Sequence, residues 1–301
     1  MTVGSAVSRP LHLGAEIGGE GEVAARVRLA ESGALDFVTL AGTDALDGLV
    51  RGASQTCRVG LAPTLGAPHA GPAAALAELF REGPGRTGWR VDASAGGAAD
   101  LAQRAAAGAG AAVRGPGGAG GGTGGPGERP VTVVDVTVCG ADGLAVAAYW
   151  ADVVLVRAYS PGEAGVMRAE LRRRAAAAGR APDGLRVLAA LTVDLAAEPR
   201  LDGPPAPDPE AVRIGQDGSA RYTGGPVGLA QVLTRWHAAD VVDGFHVTPL
   251  APDRDLERLV NGTVTLLQHR CLLRHFYSGA TLREHLGLPD PARGHTAGSR
   301  S

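Results

Sequence analysis

The stretch VTVVDVTV at residues 131–138 is the most β-branched run in the chain, and it fixes how the neighbouring segments are interpreted. Such a run is typical of a strand that is buried on both faces of a parallel sheet. The segments after it alternate in character: 143–150 favours a helix, 152–156 a strand, and 161–178 a long helix with charge facing outward. The stretch therefore predicts an α/β fold.

The same alternation extends over most of the chain. Strands are predicted at 11–15, 36–41, 58–62, 89–93, 131–138, 152–156, 185–193 and 242–247, and helices at 22–34, 72–80, 100–112, 143–150, 161–178, 226–239 and 255–273. Eight strand–helix units are the number that closes a (β/α)8 TIM barrel, with right-handed crossovers between parallel strands. A doubly wound open sheet is the alternative, because alternation alone does not distinguish closure from an open edge.

Three segments interrupt the pattern of the single domain that we predict over residues 1–301. Residues 108–127 contain eleven glycines and predict a flexible loop, because they bury too little apolar surface to offset their conformational entropy. Residues 195–225 are rich in Pro, Asp and Gly and predict an irregular loop, and the tail 289–301 is predicted to be disordered. Loops that leave the C-terminal ends of barrel strands build active sites, so the first two are expected near the chemistry.

Composition excludes several classes of protein. Hydrophobic residues make up 45%, charged residues 20%, and the net charge is −2, which is typical of a globular protein without nucleic acid or membrane partners. No leader or apolar span is evident, so a cytoplasmic location is expected. Cys57, Cys139 and Cys271 lack paired spacing and are predicted to be buried free thiols, and the histidines lack metal-ligand spacing, so no metal site is predicted.

The most specific motif lies near the C-terminus. Residues 272–291 read LLRHFYSGATLREHLGLPDP, and the core TLREHLGL at 281–288 resembles the closing signature of the bacterial luciferase-like flavin-dependent monooxygenases, in the nitrilotriacetate and dibenzothiophene-sulfone branch. GPVGLAQVLTRW at 225–236 and DGF at 243–245 also resemble that branch. The resemblance implies a barrel, usually dimeric, that takes reduced FMN (FMNH2) from a separate reductase and uses oxygen on a small organic substrate.

The resemblance also suggests which residues lie nearest the flavin: Thr64, Ser94, Gly140 and Gly143. Thr64 matches a family position beside the isoalloxazine ring, and Ser94 matches a serine that ends a family motif. Gly140 and Gly143 belong to CGADG at 139–143, in the place of a phosphate loop, and helix N-termini with small residues hold phosphate through free backbone N–H groups. A tight structural turn is the alternative interpretation of this glycine loop.

The chain also departs from the family pattern. Arg90 replaces an asparagine that contacts the flavin, Gly42 replaces an aspartate, His69 replaces a tyrosine, and two insertions on the catalytic face are shortened. These losses support a second hypothesis, a catalytically degenerate barrel that serves as structural or regulatory partner of a full-length homologue. A deazaflavin-dependent relative is a third.

Three further residues are candidates from the sequence itself, although no catalytic residue is assigned. Asp135 lies in a buried strand, where an unpaired carboxylate is costly, and Arg157 follows the next strand as its possible partner. His246, on the last strand, is the histidine expected nearest the barrel mouth, with a core or rim position as the alternative to a role as base.

Overall fold

A closed barrel of eight parallel strands forms the centre of the molecule. The computed structural model describes residues 9–18, 22–41, 46–65, 73–94, 97–107, 129–196 and 212–289. The barrel strands are β1 (His12–Glu16), β2 (Phe37–Leu40), β3 (Gly60–Leu65), β4 (Gly88–Asp92), β5 (Val131–Asp135), β6 (Val153–Val156), β7 (Arg186–Asp194) and β10 (Gly244–Pro249). Because β10 pairs in parallel with both β1 and β7, the sheet closes, and the barrel prediction is confirmed over the open sheet.

Helices surround the barrel and follow its strands. They are α1 (Val23–Ser32), α2 (Leu46–Ser54), α3 (Ala73–Glu82), α4 (Ala98–Ala107), α5 (Ala141–Trp150), α6 (Pro161–Ala177), α7 (Pro226–Ala238), α8 (Pro252–Arg258), α9 (Thr265–His269) and α10 (Leu282–His285). A π-helical segment, Leu259–Val264, joins α8 to α9. None of the helices in the described ranges is long and apolar enough to cross a membrane.

Four elements differ clearly from the sequence predictions. The strand predicted at 131–138 ends at Asp135, because the Asp135 carboxylate accepts hydrogen bonds from the backbone and hydroxyl of Thr137 and turns the chain. No helix was predicted at α2, and the last helix ends at His269 instead of residue 273. Part of the region predicted to be irregular, 195–225, forms a hairpin of β8 (Val212–Ile214) and β9 (Ala220–Thr223).

The remaining parts of the interrupting segments, 108–127, 197–211 and 290–301, lie outside the described residues. The prediction of buried cysteines is wrong for two of the three thiols. Cys57 and Cys271 are free and exposed, because they lie in the turns before β3 and after α9, and Cys139 is partly buried.

Buried aspartates secure the N-terminal end of the barrel. Asp36, Asp152 and Asp243 each lie directly before a strand, and each carboxylate accepts a backbone N–H from a neighbouring strand at 2.7–3.0 Å. Arginines pair with all three carboxylates, which satisfies charges that would otherwise be costly to bury. These acidic residues therefore have a structural role.

The C-terminal signature closes the same end of the barrel. Thr281 and Glu284 form a reciprocal capping box that starts α10, and Leu282 enters the barrel floor. A Cβ on Gly60 would lie 2.6 Å from the Leu282 side chain, and one on Gly88 would lie 2.7 Å from the Val131 carbonyl oxygen, so these strand starts are glycine. The motif that carries the family resemblance thus packs opposite the catalytic face.

Candidate functional site

The upper part of the barrel interior is polar, whereas the lower part is apolar. Strand alternation directs Phe37, Val133, Leu155 and Leu188 into the lower layers together with the α10 leucines. Two residues further along β2 and β5, the interior side chains are Thr39 and Asp135. Glu16, Arg90 and His246 project from β1, β4 and β10 into the same region. They lie at the C-terminal mouth, where barrel enzymes place their active sites.

Arg90 is the centre of this polar cluster. Its Nη1 donates to Glu16 Oε2 at 2.7 Å and its Nη2 donates to Asp135 Oδ2 at 2.5 Å. The guanidinium therefore connects β1, β4 and β5 across the mouth. Its side chain is 20% exposed, against 13% for Glu16 and 8% for Asp135, so the cluster is largely buried but still in contact with solvent.

The two carboxylates have further donors. Glu16 Oε1 accepts from the backbone N–H groups of Gly18 and Ala41, both at 3.2 Å, and Glu16 Oε2 also accepts from the Thr39 hydroxyl at 2.8 Å. Burial acts to raise the pKa of Asp135, but the charge of Arg90 and the hydrogen bonds from Thr137 outweigh it and hold that pKa below its usual value.

The bonds of Thr39 fix the tautomer of His246. The Thr39 hydroxyl has one hydrogen, and Glu16 can only accept, so Thr39 donates to Glu16 and accepts from His246 Nε2, which lies 2.8 Å away. His246 therefore carries its proton on Nε2. Burial, together with the charge of Arg90, lowers the pKa of His246 to about 3, so the imidazole is neutral at physiological pH. Its ring also stacks on Phe37 at a centroid distance of 5.9 Å.

Thr64 lies beside this cluster. It occupies the end of β3, in register with Arg90 on β4. Its Oγ1 is buried and has no hydrogen-bond partner, and the same holds for Arg90 Nε. Buried donors are normally satisfied, and among the described residues these two neighbouring donors have no protein partner.

The other residues suggested by the resemblance follow the neighbouring strands β4 and β5. Ser94 is exposed, and both its N–H and its hydroxyl donate to Asp92 Oδ1 at 2.8 and 2.7 Å, so it is committed to a local turn. Gly140 caps the N-terminus of α5, and a Cβ there would meet nothing within 4 Å. Gly143 is required for packing, because a Cβ there would overlap the Cys139 side chain and meet Ala93 at 3.2 Å.

One sequence interpretation needs correction, and two residues were missed. Asp135 pairs with Arg90 instead of Arg157. Arg157 follows the end of β6, where the β8–β9 turn lies against it, and it donates to the Gly218 carbonyl oxygen at 3.1 Å. His246 lies in the network at the mouth and is 1% exposed, which agrees with the core position given for it from the sequence. Glu16 and Thr39 were missed, although an acidic residue directly after a buried strand is the signal that could have found Glu16. Gly42 and His69 lie outside the described residues.

Comparison with known proteins gives local sequence matches and a shared fold. No family model matches the chain. N-acetyl-S-(2-succino)cysteine monooxygenase of Bacillus subtilis is 36% identical over 77 residues, which are 26% of this chain and 18% of that protein. Nitrilotriacetate monooxygenase component A of Aminobacter aminovorans is 35% identical over 77 residues, 26% of this chain and 17% of that protein. The match thus spans less than a fifth of each curated relative.

Solved structures share the fold over almost the whole chain. EDTA monooxygenase from Chelativorans sp. BNC1 superposes with a TM-score of 0.69 at 18% identity, covering 93% of this chain and 99% of that one. The coenzyme F420-dependent tetrahydromethanopterin reductase from Methanopyrus kandleri superposes with a TM-score of 0.57 at 15% identity, covering 85% and 99%. The chain therefore shares the barrel fold of these proteins, and over 26% of its length it is similar in sequence to the two curated monooxygenases.

Proposed function

We propose that this protein is an FMN-dependent monooxygenase that uses reduced flavin and oxygen on a small organic substrate. The observation that carries the proposal is the pair of unused buried donors, Thr64 Oγ1 and Arg90 Nε, at the mouth of a luciferase-like barrel. The names of the relatives support it, because they describe monooxygenases of N-acetyl-S-(2-succino)cysteine, nitrilotriacetate and EDTA. These three compounds are organic acids with several carboxylates, so an organic acid is the substrate class that we propose.

The residues present fit a flavin. Thr64 and Arg90 offer hydrogen-bond donors to the polar edge of an isoalloxazine ring, and the open N-terminus of α5 at Gly140 offers backbone N–H groups to a phosphate. Asp142, in the first turn of α5, adds a negative charge that opposes the binding of a phosphate there. Reduced FMN, when bound, supplies the electrons and the oxygen chemistry that no side chain provides.

The protein's own contribution is positioning and fixed charge. Glu16 and Asp135 hold the guanidinium of Arg90 from two sides, so Arg90 presents a cation of fixed orientation toward the mouth. Preorganised charges of this kind stabilise charge that develops in a reaction without a cost of reorganisation. His246 is neutral and is bonded through Thr39 to Glu16, so it keeps the floor of the site in one protonation state across physiological pH.

The proposal includes partners. The words "component A" in the name of one relative indicate an enzyme of more than one component. We propose that a separate reductase delivers FMNH2 to this chain, and that the chain forms a homodimer or a heterodimer with a homologue.

Anaerobic titration with FMN and FMNH2, followed by absorbance and flavin fluorescence, tests the proposal. We expect micromolar binding of FMNH2 and a weakening of about two- to tenfold in Thr64→Ala, since a neutral hydrogen bond contributes about 0.5–1.5 kcal/mol. Thr64→Ser, which keeps the hydroxyl, should bind as the wild type does. Thr265→Ala is the matched control, because Thr265 is exposed on an outer helix and donates only to helix carbonyls.

One observation favours a second function, that of a degenerate barrel acting as structural or regulatory partner of a full-length homologue. The Glu16–Arg90–Asp135 bridge satisfies its own charges while it crosses the mouth, as a structural closure would. Absence of binding of FMN, FMNH2 and a reduced deazaflavin would contradict the enzyme proposal and favour the partner. Binding of the deazaflavin alone would assign the chain to the other cofactor.

A further inference from the structure

The β8–β9 hairpin extends the barrel wall above β6. β9 pairs in parallel with the last residues of β7, 192–194, on the side where β6 has already ended at Val156. The turn of the hairpin is fastened to the end of β6, because Arg157 Nη1 and Tyr159 Oη both donate to the Gly218 carbonyl oxygen, at 3.1 and 2.7 Å. The hairpin is therefore a built wall of the catalytic face.

Three arginines lie on the mouth side of this wall. Val212 and Tyr222 are paired across the hairpin and are buried in the core between barrel and helices. Arg213 and Arg221 form the adjacent cross-strand pair, so their side chains point to the opposite side, toward the mouth. Val153 and Leu155 of β6 face the barrel interior, and Arg157, two residues after Leu155, also faces the interior at the mouth. We call Arg157, Arg213 and Arg221 the arginine row.

Among the described residues, the arginine row forms no close ion pair with a carboxylate. Within the described part of the chain, no carboxylate lies within 4.0 Å of any of the three guanidinium groups, and Arg221 Nε is buried without a partner. Other arginines on the same face are paired: Arg90 with two carboxylates, and Arg254 with Asp194 at 2.7 Å and with Asp255 at 2.8 Å. The row thus differs from Arg90 and Arg254, which lie on the same face.

This arrangement is unfavourable for the protein alone. Like charges directly opposite each other on paired strands are destabilising, and Arg213 lies opposite Arg221. The acidic residue in the hairpin turn, Asp217, accepts hydrogen bonds from the backbone and hydroxyl of Ser219 at 3.0 and 2.7 Å, and the charge of Arg221 adds only a minor contribution to its lowered pKa. An anion placed above the row would relieve the repulsion and satisfy Arg221 Nε.

We propose that the arginine row binds the carboxylates of a small polycarboxylate substrate. Guanidinium groups bind carboxylates in a bidentate geometry, and several of them side by side favour a ligand with several carboxylates over a monoanion. The role of the row in specificity rests on the proposed monooxygenase function. Recognition of the anion depends only on the wall described above.

Calorimetric titration of the flavin-free protein with tricarballylate, a simple tricarboxylate, tests the proposal. We expect binding by the wild type and no binding of the trimethyl ester. Arg221→Gln and Arg157→Gln should each weaken tricarballylate binding about tenfold or more, as expected for loss of a charge-assisted hydrogen bond. Arg235→Gln is the matched control, because Arg235 is exposed on the outer helix α7, and it should bind as the wild type does.

The outcomes are separable. Failure of the wild type to bind tricarballylate, or equal affinity in the wild type and the row variants, overturns the proposal. A second comparison uses FMN and riboflavin: if the row variants lose affinity for FMN and not for riboflavin, the row holds the cofactor phosphate, and the substrate assignment is overturned. Tricarballylate binding that depends on the row supports the site even if no flavin binds, and in that case only the monooxygenase function fails.

Discussion

Replacement of Arg90 by methionine tests whether the polar cluster is the structural centre of the mouth. Methionine keeps an unbranched side chain of similar length but removes the cation, so Glu16 and Asp135 are left facing each other. Glu16 retains its backbone and Thr39 donors, and Asp135 retains Thr137, so the expected loss comes from the missing charge. The fold should persist, because the core below the cluster is unchanged.

The expected cost follows from the burial of the partners. Removing one member of a buried ion pair typically costs about 3–5 kcal/mol. Arg90 is 20% exposed and its partners 13% and 8%, so water compensates part of the loss, and we expect about 3 kcal/mol near pH 8. In the wild type the pKa of Asp135 is lowered, so its stabilisation is present above its unfolded pKa and is lost as the pH falls through the folded value. In the variant we expect raised carboxyl pKa values, so the penalty should shrink as the pH falls.

Urea unfolding, followed by tryptophan fluorescence, measures this difference at about pH 8 and about pH 5. The gap in unfolding free energy between wild type and Arg90→Met should be smaller at the lower pH. Arg235→Met, on the exposed face of α7, serves as control and should change stability by less than about 0.5 kcal/mol. A gap below about 1 kcal/mol, or one that does not vary with pH, would refute the structural role of the cluster.

Two further predictions concern the barrel floor and the buried histidine. Leu282→Ala should lower the unfolding free energy by about 2–5 kcal/mol in the same urea assay. Flavin affinity should be unchanged, because Leu282 packs at the end of the barrel opposite the mouth. A selective loss of flavin binding would contradict this expectation. Since the pKa of His246 is lowered to about 3, wild-type stability should fall by about 2 kcal/mol between pH 6.5 and pH 5 through this residue, as the unfolded state takes up a proton that the native state does not. His246→Gln should remove that part of the pH dependence; an unchanged pH profile would show that the imidazole has the same pKa in the native and unfolded states, which would contradict the lowered pKa.

Local patterns in the sequence were sufficient for the architecture. The run of β-branched residues at β5 and the alternation of strands and helices predict the parallel barrel, because burial on both faces and helical periodicity are properties of neighbouring residues. Thr64 was found through the resemblance, and the structure places its unused hydroxyl at the mouth. Its contact with a flavin stays a prediction, as do those of Ser94, Gly140 and Gly143.

Only the tertiary structure determined which charges meet. Glu16 and Arg90 are separated by 74 residues, and Arg90 and Asp135 by 45, so no local pattern pairs them. The sequence suggested Arg157 as the partner of Asp135. In the structure, strand register places Arg90 against Asp135, and Arg157 lies instead at the hairpin that carries Arg213 and Arg221. The sequence by itself thus determined the alternation of strands and helices and the parallel sheet, and the pairing of β10 with β1 and β7 decided closure. The polar mouth, the neutral His246 and the unpaired arginine row depend on barrel closure and strand register, which bring distant residues to within hydrogen-bond distance.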